Sequence, residues 1–299
     1  MKERILKIAD GRLLSVLAEP THNSGKPVVL IPNTGVDHRV GPNRLHVHLC
    51  RAIANAGFPA LRIDLSGMGD SGTPSGSQIN STKDLQAAMQ ELEGQGFGSR
   101  FIIAGLCSGA NDAHLLARVD NRVIAMASID GYAYPTARFH LTYWWQRLAD
   151  PERIRRNWRN FWNRGAVDDD DKAGFAAEQV EFFKQPTVEE MVRDLNLLMQ
   201  RRVQLFYVYT GQVQHEYNYP TQLLDSFPCL RKYDLLRLEY MAHADHTFSR
   251  APMRTALIEM LLSWLKSVDA PAATRVSSDT TLQNNNPART SADLRQLRV

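Results

Sequence analysis

The chain has 299 residues, 43% of them hydrophobic and 22% charged, with a formal net charge of +3. That length accommodates one large α/β domain or two small ones, and the balance is that of a globular protein. The charge is too small to give a nucleic-acid footprint, and no apolar run is long enough to span a bilayer. The start, "MKERILKIADGRLL", lacks the apolar region of a secretory signal, so the cytoplasm is the expected compartment. Cys50, Cys107 and Cys229 are odd in number and widely spaced, which argues against a disulfide framework or a zinc site. No metal or other cofactor is expected.

In chain order, strand-like runs begin at Arg12 ("RLLSVLAE"), Lys26 ("KPVVLI"), Ala60 ("ALRID") and Arg100 ("RFIIA"). Further runs begin at Arg122 ("RVIAMASI"), Val203 ("VQLFYVY") and Asp234 ("DLLRLEYM"). From Lys26 onward they are almost continuously apolar, the pattern of parallel strands buried on both faces. Helical patterns alternate with them. Residues 43–56 place Leu45, Leu49, Ala52, Ile53 and Ala56 on one face, with Gly57 as a stop. Residues 81–92 open on "STKD", a capping-box spacing, and align Leu85, Met89 and Leu92. Residues 249–265 carry Leu257, Met260, Leu261 and Trp264. Strands alternating with helices imply a doubly wound, mostly parallel sheet.

The rhythm breaks between Tyr134 and Arg202, where no strand pattern occurs. About 135–202 reads as a helical lid insertion over the sheet's C-terminal edge. Its Trp144, Trp145, Trp158, Phe161 and Trp162 either pack the insertion onto the core or line an acyl or aromatic pocket. "DDDDK" at Asp168 reads as a solvated loop. Residues 269–299 have almost no large apolar side chains and read as a disordered tail after a domain spanning 1–268.

The most informative stretch is Ala104 to Asn111, "AGLCSGAN", between the run at Arg100 and a helical pattern. Gly105-Leu106-Cys107-Ser108-Gly109 resembles the small-x-nucleophile-x-small turn of the α/β-hydrolase superfamily, with cysteine at the nucleophile position. Centring the turn on Ser108 would make Leu106 and Ala110 the flanks and lose the first glycine. A phosphate-binding reading lacks its Gly-x-Gly-x-x-Gly or Gly-Lys-Ser/Thr pattern. Other landmarks of the superfamily follow in order. "PNTGVDHR" stands where the oxyanion turn belongs, and "RIDLSGMGDSG" resembles the Asp-x-x-Gly-x-Gly-x-Ser loop. "AHADHTFSR" stands where the catalytic histidine belongs, with His246 the match and His243 in reserve. "GLCSGA" with "DHTF" is especially similar to bacterial cysteine-type hydrolases, including those associated with exosortase systems.

The resemblance implies an α/β-hydrolase fold and a set of roles. Cys107 would attack an ester or thioester carbonyl and His246 would take its proton, while the amides of Ser108 and Val36 would hold the oxyanion. The positive end of the helix beginning after the turn favours the thiolate. The triad acid is left open. Its usual place, near Gln212 to Gln214, holds no Asp, so Glu216 nearby and Asp130 one strand earlier both compete, beside a dyad without an acid. His38 and Arg39 would either bind an anionic substrate group at the mouth of the site or anchor their loop. His46 and His48, two apart on a helix, read as surface and groove histidines and not as metal ligands. The expected substrate is a small acyl compound, free or carried by a larger molecule. Hydrolysis through an acyl-cysteine, transfer of the acyl group to an amine, alcohol or thiol, and a non-catalytic binding module remain the alternatives.

Overall fold

Among the residues described by the computed structural model (1–22, 25–74, 79–148 and 185–269), eight strands form one sheet. They are β1 (Lys2–Ile8), β2 (Leu13–Glu19), β3 (Val28–Pro32), β4 (Ala60–Ile63), β5 (Phe101–Leu106), β6 (Val123–Ile129), β7 (Gln204–Thr210) and β8 (Leu236–Met241). Their order is β1-β2-β4-β3-β5-β6-β7-β8; β1 pairs antiparallel with β2, β2 antiparallel with β4, and every other pair is parallel.

Helices cover both faces, which is why β3 to β7 read as unbroken apolar runs. On one face α1 (Leu45–Asn55) and a C-terminal helix (Ala251–Asp269) bury Leu49, Ile53, Leu257, Leu261 and Trp264 against the sheet. On the other, α2 (Ser81–Gly94), α3 (Ser108–Val119) and a helix at Val188–Gln200 bury Leu85, Met89, Leu116, Leu195 and Leu198. With α4 (Ala137–Leu148) and the short helix Gln222–Ser226, the last three in chain order are α5 (Val188–Gln200), α6 (Gln222–Ser226) and α7 (Ala251–Asp269). Neighbouring strands β3 and β5 send their following helices to opposite faces. In sheets of this kind, ligands bind beyond the carboxyl ends of strands that diverge in this way.

The structure adds to the sequence reading in four places. First, β1 was not anticipated: it is a short edge strand whose charged residues dilute its alternation, with only Leu6 and Ile8 turned inward and buried. Second, the cap of α2 is Asn80, whose side chain accepts the Lys83 amide at 3.0 Å, so Ser81 is already helical. Third, α5 falls inside the expected insertion but belongs to the core layer. His114 of α3 meets Asp194 of α5 at 3.0 Å, and Arg201 donates to the Ala117 and Asp120 carbonyls at 2.6 and 2.7 Å. Burial disfavours the Asp194 charge, but His114 and Arg118 outweigh it and hold the carboxyl below its ordinary range. Fourth, Trp145 is 65% exposed on α4 and packs neither into the core nor into a pocket among the described residues. The Trp144 side chain, Trp158, Phe161, Trp162, the "DDDDK" run and the tail after Asp269 lie outside the described residues.

Candidate active site

The turn between β5 and α3 is strained by design. Cys107 has φ 57° and ψ −119°, a conformation that L-residues avoid, and α3 begins at the next residue. Such a bend leaves no room on either side. A Cβ on Gly105 would stand 1.9 Å from the Gly109 carbonyl oxygen, and one on Gly109 would stand 2.9 Å from the Asn33 oxygen. The two glycines therefore bracket Cys107, not Ser108. The Cys107 amide stays tied to the sheet through the Ile129 carbonyl at 2.9 Å. Ser108 points elsewhere: it is buried, and its hydroxyl accepts the Gly35 amide. Cys107 is half-buried, whereas Cys50 is sealed in the core, where burial pushes its thiol up to about 12.

His246 arrives on the turn between β8 and α7. Asp245 builds that turn by accepting the Ser249 amide at 2.9 Å and the Thr247 and Ser249 hydroxyls at 2.8 Å each. Burial opposes the Asp245 charge, but the Ser249 amide and these hydroxyls outweigh it and hold the carboxyl down at about 2. Phe248 anchors the turn in the core with a positive φ of 51°. His246 hydrogen-bonds to Asp130 through Nδ1 at 2.8 Å, and Cys107 is near enough to act on the imidazole's protonation. Asp130 first and Cys107 second raise the imidazole to about 10, against the burial that would lower it. His243, exposed on the same loop, is not part of this contact.

Asp130 follows β6 with φ 47°, and its side chain has no solvent exposure. Its two oxygens accept the Thr210 amide and the Thr210 hydroxyl, each at 2.7 Å. Glu216, the competing carboxylate, is exposed and stands 3.5 Å from His215. The reason is local: a 3₁₀ turn at Gly211–Val213 reverses the chain after β7, and the Glu216 amide bonds back to the Val213 carbonyl at 2.9 Å. Of the two candidates, the fold brings Asp130 to His246 and leaves Glu216 outside. Thr210 and Gln212, whose Oε1 accepts the His246 amide at 2.6 Å, were missed in the sequence. The available signal was a threonine ending an apolar strand just before glycine.

Helix geometry leaves the first amides of α3, those of Ser108 and Gly109, without partners inside the helix. Val36 stands on the facing loop and is 81% exposed. The amides on either side of it are committed, Gly35 to Ser108 and Asp37 to the Thr34 carbonyl. The loop is braced from beneath by His46, which is fully buried, not a groove histidine. Its Nε2 lies 3.3 Å from the Thr34 hydroxyl, and burial first, then the Arg62 charge, lowers it to about 4, so it is neutral. His48 is exposed on the opposite side of α1.

Arg39 is only 8% exposed, and its guanidinium is taken up by Asp64 and by Asp70, the latter at 2.8 Å. His38 meets Asp70 at 2.9 Å. Gly69 lets this happen, because a Cβ there would collide with the Asp64 carboxylate at 2.4 Å. Of the two roles expected for Arg39, its placement matches the anchoring of the β3 loop to the β4 loop. An anionic substrate group would have to displace two carboxylates. Donor atoms of His38, Asp64 and Asp70 lie within 4.8 Å of one another, close enough for a cation, but the Arg39 guanidinium already supplies the positive charge there.

No protein-family model matches the sequence, and no curated protein matches it. Solved structures do match its architecture. An esterase from Pyrococcus furiosus aligns with a TM-score of 0.55 and 13% identity over 90% of this chain and 91% of its own. The esterase domain of a Rhodothermus marinus protein aligns at 0.52 and 17% identity, over 89% of this chain and 98% of its own. An alpha-beta serine hydrolase homologue from Coxiella burnetii aligns at 0.52 and 14% identity, over 88% of this chain and 97% of its own. These likenesses cover 88–90% of this chain, which has the α/β-hydrolase fold.

Proposed function

We propose that the protein hydrolyses an ester or thioester through an acyl-cysteine on Cys107, with His246 as base and Asp130, not Glu216, as the orienting acid. The observation that carries this reading is the buried Asp130 bonded to His246 Nδ1 at 2.8 Å, on an imidazole whose protonation also responds to Cys107 at the head of a strained turn. The esterases among the structural neighbours support only its coarser part, hydrolysis of an ester bond.

The chemistry follows from the order of the groups. His246 Nε2 takes the thiol proton, and the imidazolium is stabilised by the buried carboxylate at Nδ1. Sγ then bonds to the carbonyl carbon, and the C=O π pair moves onto oxygen. The amides of Ser108 and Val36 are the donors proposed for that oxyanion. As the carbonyl re-forms, the bond to the alcohol or thiol breaks, and the leaving group collects the proton from Nε2. The product on the enzyme is itself a thioester. A water deprotonated by His246 attacks it, releases the acid and returns Cys107 to its thiolate. An amine, alcohol or thiol in place of that water would make the same intermediate a transfer reagent.

Intact-protein mass spectrometry during incubation with a panel of acyl thioesters tests this reading. Hydrolysis predicts an acyl adduct that forms and clears in water alone. An adduct cleared only by an added amine, alcohol or thiol would mark a transferase. No adduct and no turnover with any substrate would leave a binding module on this fold.

A further inference from the structure

The end of β7 and the turn after it, residues 210–213, carry no carboxylate, yet they touch both Asp130 and His246. Thr210 closes β7 with no solvent exposure. It gives Asp130 two donors, its amide to Oδ1 and its hydroxyl to Oδ2, each at 2.7 Å. Two residues later Gln212 accepts the His246 backbone amide at 2.6 Å. Between them, a Cβ on Gly211 would stand 2.0 Å from the Ala242 carbonyl oxygen, so the β7 and β8 loops meet backbone to backbone. The segment is packed tightly enough to hold what it bonds.

The consequence lies in the count of protons. A carboxylate accepts only, so Nδ1 carries its proton toward Asp130 and Nε2 is the nitrogen left to exchange a proton with the thiol. The Thr210 hydroxyl spends its single proton on Oδ2, the same oxygen that meets Nδ1. It fixes the carboxylate plane, because Oδ2 must serve Thr210 and Nδ1 together.

We infer that Thr210 is a positioning residue of this site, its hydroxyl fixing the plane of the Asp130 carboxyl group so that Oδ2 faces His246 Nδ1. The inference rests on the Cys107–His246–Asp130 reading given above. Steady-state kinetics with p-nitrophenyl acetate on the full chain test it, using Thr210→Val, Thr210→Ala, Thr210→Ser and Asp130→Asn. Thr210→Val keeps shape and amide and removes only the hydroxyl. It should lower kcat by about ten- to a hundredfold with KM within about twofold of wild type. Thr210→Ser should recover most of that rate, which a purely packing role would not predict. Thr210→Ala repeats the hydroxyl deletion if valine disturbs the fold. The inference is overturned if Thr210→Val and Thr210→Ala keep the wild-type kcat while Asp130→Asn is crippled, or if Thr210→Ser is as slow as Thr210→Val. An active Asp130→Asn enzyme would instead overturn the reading on which the inference rests.

Discussion

Asp130 and His246 lie 116 residues apart in sequence, and their side chains meet at 2.8 Å, carboxylate to Nδ1. The meeting is made by the sheet: β6, β7 and β8 are parallel neighbours, so the turns leaving their carboxyl ends share one edge.

The acid assignment is the first prediction. Asp130→Asn should lower kcat on an activated ester by roughly a hundred- to ten-thousandfold, because the amide no longer holds the imidazole in its working tautomer. Glu216→Gln should stay within about twofold of wild type, since it alters only an exposed pair with His215. Steady-state kinetics on both variants check this; comparable losses in the two would reopen the assignment.

The nucleophile supplies a second. Cys107→Ser should be slower by at least about a hundredfold, because a hydroxyl needs a stronger base than a thiol does. Ser108→Ala loses one hydrogen bond, the one its hydroxyl accepts from Gly35, and should cost about fivefold or less. Single-turnover acylation rates distinguish the two residues, and a deeper loss in Ser108→Ala would shift the chemistry by one position.

His246 offers a pH signature. Its folded value of about 10 lies above the ordinary imidazole range, so its protonated form is the one the fold stabilises. The contribution is fully present below about pH 6.5 and is lost as pH rises through about 10. Urea denaturation across that window should show stability falling with pH in wild type and a flatter profile in Asp130→Asn. Equal slopes would mean that Asp130 does not hold the charge.

Two glycines separate crowding from backbone strain. Gly105→Ala places a methyl 1.9 Å from a carbonyl oxygen of its own turn, and should destabilise the fold by about 3 kcal/mol or more. Gly35→Ala meets nothing within 4 Å but keeps a φ of +53°, so only the left-handed backbone cost of about 1 kcal/mol applies. Chemical denaturation of the two variants measures the difference.

Much of this was legible in the sequence for physical reasons. Strands buried on both faces must be apolar throughout, so β3 to β7 were visible as runs. The turn at Cys107 was visible because its crowding admits only glycine at 105 and 109. Sequence order left Glu216 and Asp130 both open as the acid, because which carboxylate meets His246 depends on which loop ends meet in space. Arg39 was visible as a charge beside the site, but its partners Asp64 and Asp70 sit on another loop. The placement of α5 in the core depended on His114 and Asp194, 80 residues apart, finding each other.

The central claim is that acyl groups pass through the sulfur of Cys107. Rapid quench of the protein with an acyl thioester, followed by peptide mapping, tests it most directly. The account predicts the acyl mass on the peptide carrying Cys107, labile to hydroxylamine and missing from Cys107→Ala. The same mass on Ser108, or turnover persisting undiminished in Cys107→Ala, would contradict it.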